Sequence, residues 1–250
     1  PTPGKPLRAY LGVDAGSTTT KFVLLDENEG VVDSFYTNND GEPLRVIRRA
    51  LLDLRDRYRS LGIDLEIIAV GTTGYGEVLF AKALGADHHT VETVAHAAAA
   101  LKYVPGAGFI LDIGGQDMKA ISIANDVVTG ITLNEACSAG CGSFLENFAR
   151  SLGIPVGEIA EAAFGARNPA ELGSRCTVFM NSCIITEQKN GKRPDDIMAG
   201  LCRSIVENVF TKVVRISNFS ALGDTVVVQG GTFKNDAVLR ALEQHIGKQV

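Results

Sequence analysis

The chain has 250 residues, 45 % of them hydrophobic and 21 % charged, a composition ordinary for a globular protein. The formal net charge of −5 does not favour nucleic acid or a membrane surface as a partner, because both attract basic proteins. No apolar run approaches the ~20 residues that span a bilayer, and no signal peptide is visible, so we expect a cytoplasmic protein. Residues 1–6 are polar and proline-rich, and we expect them to form a linker or a tag-like tail.

The pattern of the first half of the chain predicts three strands joined by turns, followed by a helix, a fourth strand and a second helix. Strands are expected where short apolar runs lie between polar, glycine-bearing turns. The predicted strands are residues 10–13, 21–25, 31–36 and 67–70. A helix is expected from Pro43, because apolar residues recur there with the spacing of one buried stripe, and another at residues 93–104. The stripe consists of Leu44, Ile47, Leu51, Leu54 and Tyr58.

The second half repeats this layout, again with a strand that ends in an acidic, glycine-bearing turn and is followed by a hairpin and helices. The predicted strands are residues 109–113, 118–123, 127–133 and 225–229, and the predicted helices are residues 142–152, residues 195–218 and a short helix from residue 235. A duplication of this kind predicts two similar α/β lobes facing each other across a cleft. We expect the lobes to comprise residues 7–104 and 105–250.

Three glycine-bearing turns at strand ends are candidate nucleotide-binding elements. Residues 14–21 place a glycine beside several hydroxyls and a lysine, all of which can contact phosphate, and Asp14 can hold Mg²⁺ through water. Residues 112–117 offer the same chemistry, and the pair Gly230 and Gly231 would let an adenosine lie against bare backbone. One such turn alone is a common structural feature, but three in this order are far more specific.

The order of the motifs DAGSTTTK, DIGGQD and VVQGGTFKND resembles the superfamily of acetate kinase, sugar kinases, heat-shock chaperones and actin. Within that superfamily, DIGGQDMK, NEACSAGCGSFLE and GSRCTVFMNS are similar to the activators of 2-hydroxyacyl-CoA dehydratases and the ATPase subunits of benzoyl-CoA reductase. The resemblance extends from about residue 7 to the end of the chain. It implies a duplicated actin-like (ribonuclease H-like) α/β ATPase fold, with two lobes around a nucleotide cleft.

The resemblance also implies that ATP or ADP, with Mg²⁺, is bound by residues from both halves. The implied phosphate-binding residues are Asp14, Gly16, Ser17, Thr18, Thr19 and Lys21 in the first half and Asp112, Gly114, Gly115, Gln116 and Asp117 in the second, with Gly230 and Gly231 beside the adenosine. The candidate catalytic residues are Gln116, Asp14 and Asp112. We expect Gln116 to position the attacking water, by analogy with the glutamine of other nucleotide hydrolases.

The five cysteines form an odd set in a chain without an export signal, which argues against a disulfide framework. Cys137 and Cys176 lie at the predicted starts of two helices, where unpaired N–H groups favour a thiolate. The resemblance implies that both bind one 4Fe-4S cluster shared by the subunits of a homodimer. Cys141 and Cys183 depart from the simplest family pattern and are weaker candidates for metal ligands, whereas Cys202 is interpreted as a small buried hydrophobe.

Two alternatives for the cysteines remain open. Four cysteines in one chain could hold a cluster within a single subunit. Zinc is the rival metal, because four thiolates suit it equally well.

The function implied by the resemblance is an ATP-dependent activator. It would couple hydrolysis to low-potential electron transfer from the cluster to a cluster-bearing dehydratase or reductase. An upstream reductant such as ferredoxin or flavodoxin would reduce the cluster again after each transfer. The alternatives are a small-molecule kinase of the same fold, which would need a substrate and a carboxylate base, and a regulatory ATP-binding module without a cluster.

The remaining chemistry-bearing residues predict little. His88, His89 and His96 are interpreted as surface or packing residues, because we identified no acidic or cysteine partner near them in sequence. No Ser-His-Asp or Cys-His signature supports an acyl hydrolase. Members of the resembled family usually continue beyond the equivalent of Asn235 with one more strand and helix than this chain has, so we expect the second lobe to be truncated.

Overall fold

The computed structural model describes residues 6–134 and 140–250. The predicted ligand Cys137 and all of the predicted tail except Pro6 lie outside the described residues. The chain divides into two compact units, Pro1–Ala98 (unit 1) and Ala99–Val250 (unit 2). Each unit has its own sheet and its own apolar core.

The sheet of unit 1 has the strand order β3-β2-β1-β4-β5. Its first three strands, β1 (Leu7–Ala15), β2 (Thr19–Asp26) and β3 (Val31–Asn38), form an antiparallel meander. The fourth strand, β4 (Leu65–Thr73), returns parallel to β1, and the short β5 (His88–His89) pairs with it. All four strands predicted in this half are confirmed, each longer than its apolar run.

The helices of unit 1 are α1 (Pro43–Ser60), α2 (Glu77–Leu84) and α3 (Glu92–Tyr103), the last of which continues into unit 2. Helix α1 begins with its proline at the first turn, where the missing N–H costs nothing. Its buried residues are Ile47, Ala50, Leu54 and Tyr58. Helix α2 was not predicted, because it is short and buries one residue, Phe80, so it shows no apolar stripe.

The sheet of unit 2 has the strand order β8-β7-β6-β9. Strands β6 (Phe109–Ile113), β7 (Met118–Ala124) and β8 (Val127–Asn134) are antiparallel, and β9 (Val226–Gln229) returns parallel to β6. Both sheets therefore run third, second, first, fourth in chain order, as the duplicated sequence pattern predicts. Every residue of β6 is buried, which makes this strand the centre of the unit.

The helices of unit 2 pack on this sheet and on one another. They are α4 (Gly142–Ser151), α5 (Ile159–Phe164), α6 (Thr177–Lys189), α7 (Pro194–Asn208) and α8 (Asp236–Ile246). The predicted helix at residues 195–218 is wrong in its second half. Helix α7 ends at Asn208, and one π-helical turn, Val209–Val213, follows before Arg215 adopts a left-handed conformation that breaks the helix. None of the helices in the described part of the chain is long and apolar enough to cross a bilayer.

Candidate functional site

The turn between β1 and β2 carries the first predicted phosphate-binding residues. Asp14 lies opposite Lys21 in the antiparallel register, and Lys21 Nζ lies 2.6 Å from Asp14 Oδ2. Burial lowers the pKa of Lys21, but the charge of Asp14 and its hydrogen bond raise it more, so the net pKa is raised and the ammonium stays charged. Asp14 Oδ1 is buried and accepts no hydrogen bond from a described residue. That oxygen is suited to a cation or a cation-bound water.

Two neighbouring segments hold this turn in place. The buried Asn39 donates from Nδ2 to Gly16 O at 2.9 Å, and its backbone N–H donates to Thr18 O at 2.9 Å. Gly74, with φ of +91°, follows β4, and a Cβ at this position would lie 2.5 Å from Asp14 Oδ1. A glycine is required here because any side chain would displace the carboxylate. Ser17 is exposed at the tip of the turn.

The first turn of α3 adds two residues that the sequence interpretation missed. Glu92, His96 and Asp14 each offer a ligand atom, and these atoms all lie within 4.8 Å of one another. His96 Nε2 lies 3.6 Å from Glu92 Oε1, one helical turn away. The interpretation of His96 as lacking a nearby acidic partner is therefore wrong, and the Glu-x-x-x-His spacing was the signal available to find it. Two carboxylates and an imidazole form a plausible divalent-cation site.

The turn between β6 and β7 carries the second set. Asp112 is 3 % exposed at the end of β6, and Gln116 is exposed at the tip of the turn. Gly114 N donates to Asp117 O at 3.0 Å, and a Cβ at Gly114 would lie 2.8 Å from Asp117 Oδ1. Lys119 Nζ lies 2.5 Å from Asp117 Oδ2. The turn therefore exposes the amide side chain of Gln116, whereas the carboxylate of Asp117 is paired with Lys119.

The start of α4 and the loop after β9 both donate hydrogen bonds to this turn. Gly142 N donates to Gly114 O, and Ser143 N donates to Gly115 O, each at 2.9 Å. Thr232 Oγ1 also donates to Gly114 O, at 3.0 Å. The phosphate turn and the helix that follows the first cysteine segment are thus directly hydrogen-bonded.

Gly230 makes a second close approach to the same turn. It has φ of +96°, and a Cβ there would clash with Ile113 O and Asp112 Oδ1. Two independent constraints, the positive φ and the clash, therefore demand glycine. The predicted adenosine-binding pair lies directly against the end of β6.

Cys176 caps the N-terminus of α6 and is partly exposed. A hydrogen bond from the backbone N–H of Phe179 is the main cause that lowers the pKa of this thiol, against a rise from burial. The N–H of Val178 and the charge of Lys212 lower the pKa further. These are the conditions that favour a thiolate ligand.

The other described cysteines differ from Cys176 and from one another in environment. Cys141 caps α4 but is fully buried. Cys202 is 2 % exposed, as predicted, and burial raises its pKa to about 12. Cys183 is partly exposed and lies two helical turns along α6 from Cys176, about 10 Å away by helical rise.

Among residues 6–134 and 140–250, no three cysteines lie close enough to share one metal ion. Since Zn–S bonds are ~2.3 Å long, Cys176 and Cys183 cannot both bind a single zinc ion. The described thiols therefore give no support to the zinc alternative.

Comparison with known proteins agrees with this geometry. The model of the BadF/BadG/BcrA/BcrD ATPase family matches residues 11–250. The chain is 32 % identical to the (R)-2-hydroxyglutaryl-CoA dehydratase activating ATPase of Acidaminococcus fermentans, over 96 % of this chain and 89 % of that protein. It is 34 % identical to the activator of lactoyl-CoA dehydratase of Anaerotignum propionicum, over 93 % and 86 %. The structure of the activator of 2-hydroxyisocaproyl-CoA dehydratase from Clostridium difficile with bound ADPNP has a TM-score of 0.81 and 30 % identity, over 96 % and 87 %. The predicted duplicated actin-like fold is thereby confirmed.

Proposed function

Because the chain belongs to the BadF/BadG/BcrA/BcrD ATPase family, we propose that it is an ATP-dependent activator of a cluster-bearing enzyme that acts on an acyl-CoA. In this proposal ATP hydrolysis drives a one-electron transfer from a 4Fe-4S cluster to a dehydratase or reductase. An electron donor such as ferredoxin or flavodoxin reduces the cluster beforehand. Relatives named as activators of three different 2-hydroxyacyl-CoA dehydratases, and one named as a benzoyl-CoA reductase subunit, support the class of partner.

The turns after β1 and β6 are proposed to bind the phosphates of ATP. In unit 1, Lys21 is the cation and the unpartnered Oδ1 of Asp14 is the Mg²⁺-facing oxygen. In unit 2, the backbone of Gly114 and Gly115 is the phosphate-facing surface, and the exposed amide of Gln116 orients the attacking water. The chemistry of this set fits a magnesium nucleotide, since it combines one cation, one carboxylate oxygen without a hydrogen-bond donor and backbone at two consecutive glycines.

The remaining residues named for this site have secondary roles in the proposal. Ser17, Thr18 and Thr19 donate hydroxyl or backbone hydrogen bonds to phosphate. Asp112 and Asp117 orient metal-bound water. Gly230 and Gly231 lie beside the adenosine.

Cys176 fits a cluster ligand because it is partly exposed and lies at the N-terminus of α6, where nearby backbone N–H groups lower its pKa. Cys137 is its proposed partner ligand, so that two copies of the chain supply four thiolates across a two-fold axis. A cluster held there would supply the low-potential electron. Cys141 fits this role poorly, since its sulfur is fully buried.

The observation that carries the proposal is the pair of hydrogen bonds from Gly142 N to Gly114 O and from Ser143 N to Gly115 O. Any displacement of the phosphate turn must move the start of α4 or break both bonds. The chain that leads into α4 contains Cys137. A change in the bound nucleotide that moves this turn would therefore also move the start of α4, through two backbone hydrogen bonds.

The test is anaerobic quantitation of iron and sulfide after reconstitution, for the wild type and for Cys137→Ala, Cys176→Ala and Cys202→Ala. We expect about four iron per dimer in the wild type and in Cys202→Ala, and loss of iron in the other two variants. About four iron per monomer, sensitive also to Cys141→Ala and Cys183→Ala, would keep the redox role and move the cluster into one chain. No iron, with ATPase activity intact, would refute the redox role.

A further inference from the structure

The end of α7 is hydrogen-bonded to the segment that precedes Cys176. Asn208, the last residue of α7, is 1 % exposed, so its amide group is inside the protein rather than in water. A buried amide is retained only when its hydrogen bonds are made. Its partners therefore indicate what this residue holds in place.

These partners lie in the segment immediately before Cys176. Ser174 Oγ donates to Asn208 Oδ1 at 3.0 Å, and Asn208 Nδ2 donates to Arg175 O at 3.3 Å. Both faces of one amide group thus bind adjacent residues of the GSRC segment. The start of α6, at which Cys176 is the cap, is fixed to α7 by this pair of contacts.

The π-helical turn that follows Asn208 reinforces the same segment. Thr211 Oγ1 lies 2.7 Å from Ser174 Oγ and can donate to it, since the Ser174 proton goes to Asn208 Oδ1. Wide helical turns of this type insert one extra residue and commonly occur at functional sites. Here the turn brings a second hydroxyl against Ser174.

Gly140, which lies three residues beyond Cys137 in sequence, is near the same residue. Gly140 has φ of +110°, and a Cβ there would lie 3.5 Å from Asn208 Cβ and 2.8 Å from Met118 Cε. The positive φ and the approach of Met118 both favour glycine at this position.

We propose that Asn208 is a positioning residue that fixes the segment immediately before Cys176 to the end of α7. It acts through its hydrogen bonds with Ser174 and Arg175. The inference rests on the proposed function, because the position of Cys176 matters when this residue binds a cluster.

The first test uses the metal-free full chain and measures tryptic cleavage after Arg175, with cleavage after Lys189, at the other end of α6, as an internal reference. Asn208→Ala removes the amide group that bonds Ser174 and Arg175 and keeps the Cβ. We expect cleavage after Arg175 to become about tenfold faster, and cleavage after Lys189 to be unchanged. The matched control is Asn235→Ala, which removes the cap of α8 in the same unit and should leave the Arg175 site as in the wild type.

Ser174→Ala provides a second variant, at a partly exposed position that tolerates substitution, in case Asn208→Ala folds poorly. Ser174→Ala should also accelerate cleavage after Arg175. The double variant should be no faster than Asn208→Ala alone, because both changes break one network. Additive effects, or a cleavage rate in Asn208→Ala equal to that of the wild type, would overturn the inference.

The second test measures release of iron to a chelator from the reconstituted protein. We expect Asn208→Ala to lose iron at least about fivefold faster than the wild type and Asn235→Ala, and equal rates would overturn the positioning role. A wild type that binds no iron would refute the proposed function instead, whereas faster cleavage after Arg175 would still support the hold of Asn208 on the Cys176 segment.

Discussion

The hydroxyl of Thr232 donates a 3.0 Å hydrogen bond to the carbonyl oxygen of Gly114, and so joins the loop after β9 to the phosphate turn after β6. The same oxygen accepts from Gly142 N at 2.9 Å. Three segments that are distant in sequence therefore converge on one carbonyl group. If this turn binds the nucleotide as proposed, the position of this carbonyl group determines which backbone atoms face the phosphates.

Replacing Thr232 should weaken nucleotide binding without unfolding the protein. Thr232→Val removes the donor and keeps the shape, and a neutral hydrogen bond contributes about 1 kcal/mol, so we expect the Kd for a non-hydrolysable ATP analogue to rise about fivefold. Thr232→Ser keeps the donor and should bind as the wild type does. Calorimetric titration of the three proteins checks this, and equal affinity in Thr232→Val would contradict it.

Gly230→Ala should be far more damaging than a substitution at a glycine in the ordinary left-handed helical region, because Gly230 (φ 96°, ψ 156°) combines a backbone conformation nearly restricted to glycine with a close approach. Gly247 also has positive φ, +70°, but has open space where a Cβ would lie. We expect Gly247→Ala to lower stability by about 1 kcal/mol and to leave ATP binding intact. Gly230→Ala should lower the Tm further and abolish binding, because its Cβ would clash with Asp112 and Ile113. Similar Tm values and similar affinities for the two variants would show that the close approach is unimportant.

Glu92→Gln should raise the Mg²⁺ requirement of the ATPase. The charge of Glu92 acts on Lys21, and its carboxylate lies with that of Asp14 in the three-residue group. Loss of one anionic ligand should raise the Mg²⁺ concentration for half-maximal activity about tenfold, corresponding to ~1.4 kcal/mol. Glu42→Gln, at an exposed carboxylate on α1 that pairs with Arg45, is the control. An unchanged Mg²⁺ dependence would remove Glu92 from the cation site.

Asp196 should stabilise unit 2 in a pH-dependent way. The backbone N–H of Asn168 is the main cause that lowers its pKa; burial raises the pKa, and the N–H groups of Arg193 and Arg167 lower it further. A lowered folded-state pKa means that the stabilisation is complete above the ordinary value of about 3.9 and is lost as the pH falls below it. Asp196→Asn should therefore lower the Tm by roughly 3–8 °C at pH 7, and the difference from wild type should shrink toward pH 3. Asp195→Asn, its partly exposed neighbour, should show a much smaller difference that changes little with pH.

Local signals predicted the strands and the starts of most helices, whereas α2 and α5 were not predicted. Alternating or continuous apolar runs predicted the strand positions, and the polar turn at residues 125–126 predicted the hairpin of β7 and β8. Cys176 was predicted at a helix start and caps α6. Strand positions, turns and helix starts depend on residues that are close in sequence, and so local patterns are enough to predict them.

Features that depend on distant contacts were missed. Glu92 and His96 join Asp14 only because α3 returns to the end of β1. The need for glycine at position 74 arises from the carboxylate of Asp14, far away in sequence. The end of α7 at Asn208 reflects a buried amide bound to Arg175 and Ser174, and no propensity scale reports such a contact.

The parallel pairing of β6 with β9 also has a bearing on how the chain is made. Phe109 lies opposite Val226, so the central strand of unit 2 lacks one neighbour until the chain has been synthesised through β9. Roughly 110 residues separate the two strands, and synthesis proceeds at ~5–20 residues per second. The edge of β6 that pairs with β9 therefore stays unpaired for roughly 5–20 s during synthesis. The sheet of unit 1 is complete long before, because its last strand is His88–His89. Nascent unit 2 thus presents an unpaired apolar strand, and the step most exposed to aggregation is the wait for β9.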